Sequence, residues 1–164
     1  MKEATSDFLA QKRVAVTGVS RKGAQAHGAN LIYQRLRDRG YQVFAVNPNA
    51  DEVEGDHCYH DLKSIPGSVD GVVIATRPEV ADSTVQECEE LGIKRVWMHQ
   101  PPFGPGSASA TAAEYGRQHG MTVIDGGCPC MFSPTADPGH KVLKLMGRMN
   151  GKVPRRIGSG VQST

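Results

Sequence analysis

Arg13-Val14-Ala15-Val16-Thr17-Gly18-Val19-Ser20-Arg21-Lys22-Gly23 is the stretch that decides the fold. The run to Thr17 is small and β-branched and reads as a strand, which Gly18 ends. The next periodic segment spans residues 28–39. Its Ala29, Ile32, Tyr33 and Leu36 fall at i, i+3, i+4 and i+7, one face of a helix, and Gly40 stops it. A strand, a glycine-bearing loop and an amphipathic helix make the first βα unit.

The same alternation repeats outward. Residues 41–46 form a second strand, closed by Asn47-Pro48, and a polar stretch over 49–67 holds at most a short strand or a helical turn. Residues 69–75 are almost entirely apolar, as expected of a strand covered on both faces. The helix over 78–91 starts on Pro78, a suitable first residue, buries Ala81, Thr84, Val85 and Cys88, and stops at Gly92. Residues 94–98 form a fourth strand and 121–124 a fifth, with a helix between them that Ser107 caps. This pattern predicts an α/β, Rossmann-like, doubly wound parallel five-stranded sheet in three α/β/α layers. A terminal helix from Asp137-Pro138 docks on the body through Val142, Leu145, Met146 and Met149. One domain is expected over 1–150, with a flexible basic tail over 151–164 that carries Arg155 and Arg156.

Composition sets the outer bounds. The chain has 164 residues, a formal net charge of +2, 38% hydrophobic and 22% charged residues, an ordinary globular balance. So small an excess of positive charge argues against a nucleic-acid partner. No apolar run reaches the roughly 20 residues of a membrane-spanning helix, and residues 1–11 have no apolar core of a secretory signal. A cytoplasmic location is therefore expected, with Cys58, Cys88, Cys128 and Cys130 as free thiols.

In an open α/β sheet, ligands sit beyond the carboxyl ends of the strands, near the switch in strand order. The loop Gly18-Val19-Ser20-Arg21-Lys22-Gly23 offers curled backbone amides, a hydroxyl and two cations at a helix entry, which suits a phosphate or pyrophosphate. It is not a Walker A loop, because Ala24-Gln25 follows Gly23. It is not the G-x-G-x-x-G fingerprint either, because Ser20 stands at the second glycine. Asn47-Pro48-Asn49 occupies the place where an NAD site carries an acidic residue. A neutral turn there favours a 3′-phosphorylated adenosine, as in coenzyme A. Arg77, in Thr76-Arg77-Pro78, is either a phosphate or base contact or a solvated residue beside a capped helix. His99 ends the fourth strand, where it either packs or faces the cleft.

Taken together, Val16-Thr17-Gly18-Val19-Ser20, Val46-Asn47-Pro48, Val73-Ile74-Ala75-Thr76-Arg77-Pro78, Val96-Trp97-Met98-His99 and Val123-Ile124-Asp125-Gly126-Gly127-Cys128-Pro129 resemble the small stand-alone bacterial CoA-binding proteins. Those are similar to the N-terminal CoA-binding domain of the succinyl-CoA synthetase α subunit. The resemblance covers residues 11–129. It implies that the first loop holds the phosphates of coenzyme A or an acyl-CoA and that the loops after strands two and three enclose the adenosine end. The residues carried over are Gly18, Ser20, Arg21, Lys22, Gly23, Asn47, Pro48, Thr76, Arg77 and Pro78. Val19 and His99 complete the expected set. The synthetase's phosphorylated histidine belongs to a second domain outside the resemblance, so ligase activity is not implied.

The adjacent motifs assemble no set of nucleophile, base and orienting group. The leading expectation is thus a non-catalytic module that binds coenzyme A. An NAD(P)-dependent oxidoreductase or dinucleotide-binding regulator on the same fold is the alternative. A subunit that hands coenzyme A to a partner enzyme, and a homo-oligomer, both stay open. The resemblance includes a cysteine at Cys128, which is either a reactive thiol that joins the thiol of coenzyme A or an inert buried residue. A metal site of Cys128 and Cys130 with His99 or His140 is open but disfavoured, since no feature of the sequence orders four ligands.

Overall fold

The computed structural model describes residues 1–21, 28–136 and 138–153. Seven strands form one sheet: β1 Arg13–Thr17, β2 Gln42–Val46, β3 Glu52–Val53, β4 Asp56–Tyr59, β5 Gly71–Ile74, β6 Arg95–Met98 and β7 Thr122–Asp125. Their order is β3-β4-β2-β1-β5-β6-β7. The five expected strands are present and parallel. The sheet gains two more at the β2 edge, where β4 runs parallel to β2 and β3 antiparallel to β4. These two come from the polar stretch after Pro48. They are joined through Glu54 and Gly55, both at positive φ (53° and 77°), the backbone of a tight primed hairpin turn.

Helices α1 Lys2–Ala10, α2 Ala29–Asp38 and α5 Pro138–Met149 lie on one face of the sheet, and α3 Pro78–Glu90 and α4 Ala110–Gln118 on the other. Strand alternation divides the core between the two faces. Val14, Val16, Val73 and Trp97 pack under α1 and α2, while Ala15, Val72, Ile74, Val96 and Met98 pack under α3 and α4. The expected stripes of α2 and α3 are the buried ones. Trp97 is fully buried, donates to the Gly126 carbonyl at 3.1 Å, and meets the rings of Phe8 and Phe132 edge-on at 5.5 and 5.4 Å. Truncating such a side chain to Ala costs about 3–5 kcal/mol.

One element is added and two sequence expectations change. The segment before β1 is helix α1, whose Phe8 covers Gly71 so closely that a Cβ there would meet Phe8 Cε2 at 2.8 Å. Ser109, rather than Ser107, caps α4 and accepts from the Ala112 amide. Ser107 is turned to the Thr76 carbonyl, to which its hydroxyl donates. Finally, α5 docks through Leu143 and Gly147, not through the stripe read from sequence. Val142, Leu145, Met146 and Met149 are 41–82% exposed. Gly147 decides the orientation: its missing Cβ leaves room for Val153, whose Cγ2 would lie 2.6 Å from one. Val153 is buried and the Gly127 amide donates to the Lys152 carbonyl at 3.0 Å, so the body extends through the first three residues assigned to the tail. Arg155, Arg156 and the cap position Asp137 lie outside the described residues.

Candidate functional site

Strand order reverses at β1: its successor β2 lies on one side and β5 on the other. The loops after β1 and β5 therefore lead away to opposite faces, and a crevice opens between them. A cleft of about 460 Å³ occupies this place, lined by Thr17, Gly18, Asn47, Pro48, Thr76 and Arg77 among others. A cavity of about 130 Å³ adjoins it, walled by the same Thr76 and Arg77 with Pro78, His99 and Ser107.

Gly18 makes the crevice possible. It sits at φ +85°, and a Cβ on it would fall 2.5 Å from the Ala75 carbonyl oxygen. The two loops thus approach more closely than any side chain permits. Thr17, immediately before it, is 5% exposed and lines the cleft. Its Oγ1 has no hydrogen-bond partner among the described residues. A buried hydroxyl left this way costs free energy unless a ligand or water completes it.

The loop after β1 is held from behind. The Asn30 side chain accepts from the Ser20 amide at 3.0 Å and donates to the Ser20 carbonyl at 2.7 Å. Its amide also donates to Glu54, which accepts from Gln34 at 2.6 Å. These bonds hold the Glu54 carboxyl below its ordinary range, Asn30 contributing most and Gln34 next. They also account for a non-glycine residue at positive φ in the β3–β4 turn. From the front, Asn47 donates to the Val19 carbonyl at 2.7 Å and accepts from the Asn49 amide at 2.9 Å. Arg21 is exposed and reaches the Asn49 carbonyl at 3.4 Å, beside Pro48 on the rim.

On the far wall, α3 begins at the cleft. Its N-cap Arg77 makes no side-chain cap hydrogen bond and Pro78 is its first residue. The exposed guanidinium stands beside the positive end of a 13-residue helix, whose first turn also carries Glu79, and Asp61 and Glu87 line the same cleft. Ser107 ties the loop after β6 to this wall through the Thr76 carbonyl, and the Ser107 amide donates to the His99 carbonyl at 2.7 Å.

The structure therefore brings Gly18, Asn47, Pro48, Thr76 and Arg77 into one cleft and Pro78 and His99 to its side pocket. Val19 is fully buried with its side chain in the core, so only its main chain faces the loop. Lys22 and Gly23 lie outside the described residues. Cys128 is 4% exposed and belongs to the core under α2 and α5, and it does not line the cleft. Sequence reasoning missed Thr17, Asn30 and Glu54. Thr17 had a readable signal as the last strand residue before a glycine. The other two had none, because their roles depend on contacts across 10 and 24 positions.

The model of the CoA binding domain matches residues 12–134. The chain belongs to the CoA-binding domain family. This CoA-binding domain is similar to an ADP-forming acetate–CoA ligase of Archaeoglobus fulgidus, 34% identical over 127 residues, a match covering 72% of the chain and 18% of the ligase. It is also similar to the α subunit of such a ligase from Pyrococcus furiosus, at 28% identity, covering 74% of the chain and 27% of the subunit. The chain thus spans about a fifth to a quarter of these enzymes. The uncharacterized protein YneT of Bacillus subtilis, 29% identical, is covered over 78% of its length by a match to 69% of the chain. Among solved structures, a conserved hypothetical protein from Pyrococcus furiosus superimposes with a TM-score of 0.61 at 32% identity, covering 71% of this chain and 95% of that one. Among the described residues of the CoA-binding domain, no helix is long and apolar enough to cross a membrane.

Proposed function

We propose that the cleft binds coenzyme A or an acyl-CoA and that the domain catalyses no chemistry on its own. The observation that supports this most is the meeting of Gly18 with the Ala75 carbonyl at the switch in strand order, beside the buried Thr17 hydroxyl. In this reading the diphosphate lies over the Gly18-Val19-Ser20 turn and takes the Thr17 hydroxyl and the Val19 amide, because the Gly18 and Ser20 amides already donate to Val46 and Asn30, with Arg21 and Lys22 supplying positive charge. Asn47, Pro48, Thr76, Arg77 and Pro78 enclose the adenosine end, and Arg77 meets a phosphate. Names of the relatives include ADP-forming acetate–CoA ligases. A partner enzyme that receives or supplies the bound thioester is the matching proposal for this chain.

Thermal unfolding with coenzyme A, acetyl-CoA, NAD and NADP tests the reading. A ligand at 100 times its dissociation constant stabilises the fold by about 2.7 kcal/mol, which raises the midpoint by several degrees at this size. A rise with coenzyme A or acetyl-CoA, and none with the dinucleotides, is the expected result. A rise confined to NAD or NADP overturns it in favour of a dinucleotide site.

A further inference from the structure

We propose that Cys128, Cys130 and His140 form a binding site for zinc, with water as the fourth ligand. The two thiols and the imidazole come together although 12 positions separate Cys128 from His140. One ligand atom from each lies within 4.8 Å of the other two. Sequence gave no order to these groups, because nothing in it brings α5 over the end of β7.

The geometry is built by the loop between them. Pro129–Met131 forms a single 3-10 turn with Cys128 at its N-cap, and the Met131 amide donates to the Cys128 carbonyl at 2.9 Å. Thr135 clamps the turn from within: its hydroxyl is placed 2.6 Å from the Pro129 carbonyl and 2.8 Å from the Phe132 carbonyl. His140 stands in the first turn of α5, and α5 is seated by Lys144 over the Phe132 ring at 3.8 Å and by Gly147 against Val153. Both sulfurs thereby sit on a hydrogen-bonded turn and the imidazole on a helix.

The chemistry selects the ion. Zinc takes thiolate sulfur at about 2.3 Å and imidazole nitrogen at about 2.0–2.1 Å in a tetrahedron, which sets its ligand atoms about 3.5–3.8 Å apart. The present separations, none above 4.8 Å, exceed that range by no more than about 1 Å. Two thiolates and an imidazole are soft to borderline donors, so magnesium and calcium are disfavoured. Cys128 is 4% and Cys130 0% exposed, whereas His140 is half-buried. His140 is thus the most accessible of the three, and the proposed water ligand sits on its side. A disulfide is the competing fate of two cysteines, but one bridging Cys-x-Cys is strained. On binding, each thiol gives its proton to solvent and both sulfurs enter the coordination sphere as thiolates. The site is separate from the proposed CoA cleft, whose lining contains none of the three residues.

Cobalt(II) titration of the reduced, full-length protein under anaerobic conditions tests the site, followed by displacement with zinc. The expected result is one equivalent per chain, a thiolate-to-cobalt charge-transfer band, and loss of that band when zinc is added. Cys130→Ser and His140→Ala each weaken zinc binding by about tenfold or more. Because Cys130 lies in the core, circular dichroism accompanies each variant, and the half-buried His140 supplies a substitution the fold tolerates. The double variant Cys58→Ser/Cys88→Ser, altered on β4 and α3, keeps the full band. Absence of a charge-transfer band in the wild-type protein overturns the proposal. So does an unchanged zinc affinity in His140→Ala, or loss of the band in the Cys58/Cys88 variant with Cys128 and Cys130 intact.

Discussion

The two halves of the sheet's carboxyl edge are built differently. At β2, β1 and β5 the edge is an open cleft, walled by main chain and short polar side chains (Gly18, Asn47, Thr76). At β7 it is closed by the 3-10 turn and α5, and its two cysteines are buried (Cys128, Cys130). The difference follows from strand order. Where order reverses, consecutive loops part and leave a crevice. Where it continues, as from β5 to β6 to β7, the successive crossover helices α3 and α4 pack against each other. Accordingly the nucleotide is proposed for the open half and the small ion for the closed one.

Substitutions that alter one half and spare the other break or sharpen this contrast. The largest effect is expected from Gly18→Val. It places a branched side chain at positive φ and against the Ala75 carbonyl, which costs about 3 kcal/mol or more. Coenzyme A binding, read by calorimetric titration, is lost. Cobalt uptake at the far half survives in the folded fraction.

Asn30→Ala comes next. It removes both bonds to the Ser20 main chain and one to Glu54 from a residue that is 3% exposed. Stability drops by about 1–3 kcal/mol in denaturant unfolding, and coenzyme A affinity falls by about tenfold, since 1.4 kcal/mol of lost loop order is a factor of ten. An unchanged affinity means that the loop does not carry the ligand.

Arg77→Ala leaves stability within about 0.5 kcal/mol, because the side chain is exposed and makes no cap hydrogen bond. It lowers coenzyme A affinity by about fivefold at low salt, and the difference shrinks as salt is raised. An equal loss in Arg77→Ala for NAD and coenzyme A contradicts an adenosine-phosphate contact.

The smallest effect is a pH dependence. The Glu54 carboxyl is held low by Asn30 and then Gln34, and Asp56 is held low by Tyr33 and then Arg37. For groups depressed in the folded state, the stabilisation is present above the unfolded value, near about 4. It is lost as pH falls through the folded value. Wild-type stability therefore declines below about pH 4, and Glu54→Gln, measured by denaturant unfolding, shows a shallower decline. An identical acid profile in the two proteins removes Glu54 from the loop's support.

The alternation of strands and helices was legible because buried strands and amphipathic helices leave periodic traces, and α2 and α3 bury the residues their spacing predicts. The stripe of α5 has the same spacing yet faces outward. Periodicity identifies an apolar face and not its neighbour, and Gly147 and Val153 chose the opposite side. The β3–β4 hairpin was hidden because its turn is Glu54-Gly55, where sequence signals for such turns rest on Asn-Gly or Asp-Gly. At the cleft, the residues on loops directly after strands were readable from position alone. Asn30, behind the loop, and the meeting of His140 with Cys128 and Cys130 were not, because each depends on how distant segments pack.

Amide chemical-shift mapping of the 15N-labelled protein with coenzyme A tests the central claim most directly. The largest shifts are expected at Gly18, Val19, Ser20, Thr76 and Arg77, with the amides of Cys128 and Cys130 little changed. Saturating coenzyme A that leaves the amides of Gly18 and Thr76 unmoved, or that moves only residues away from the β1 and β5 ends, contradicts it.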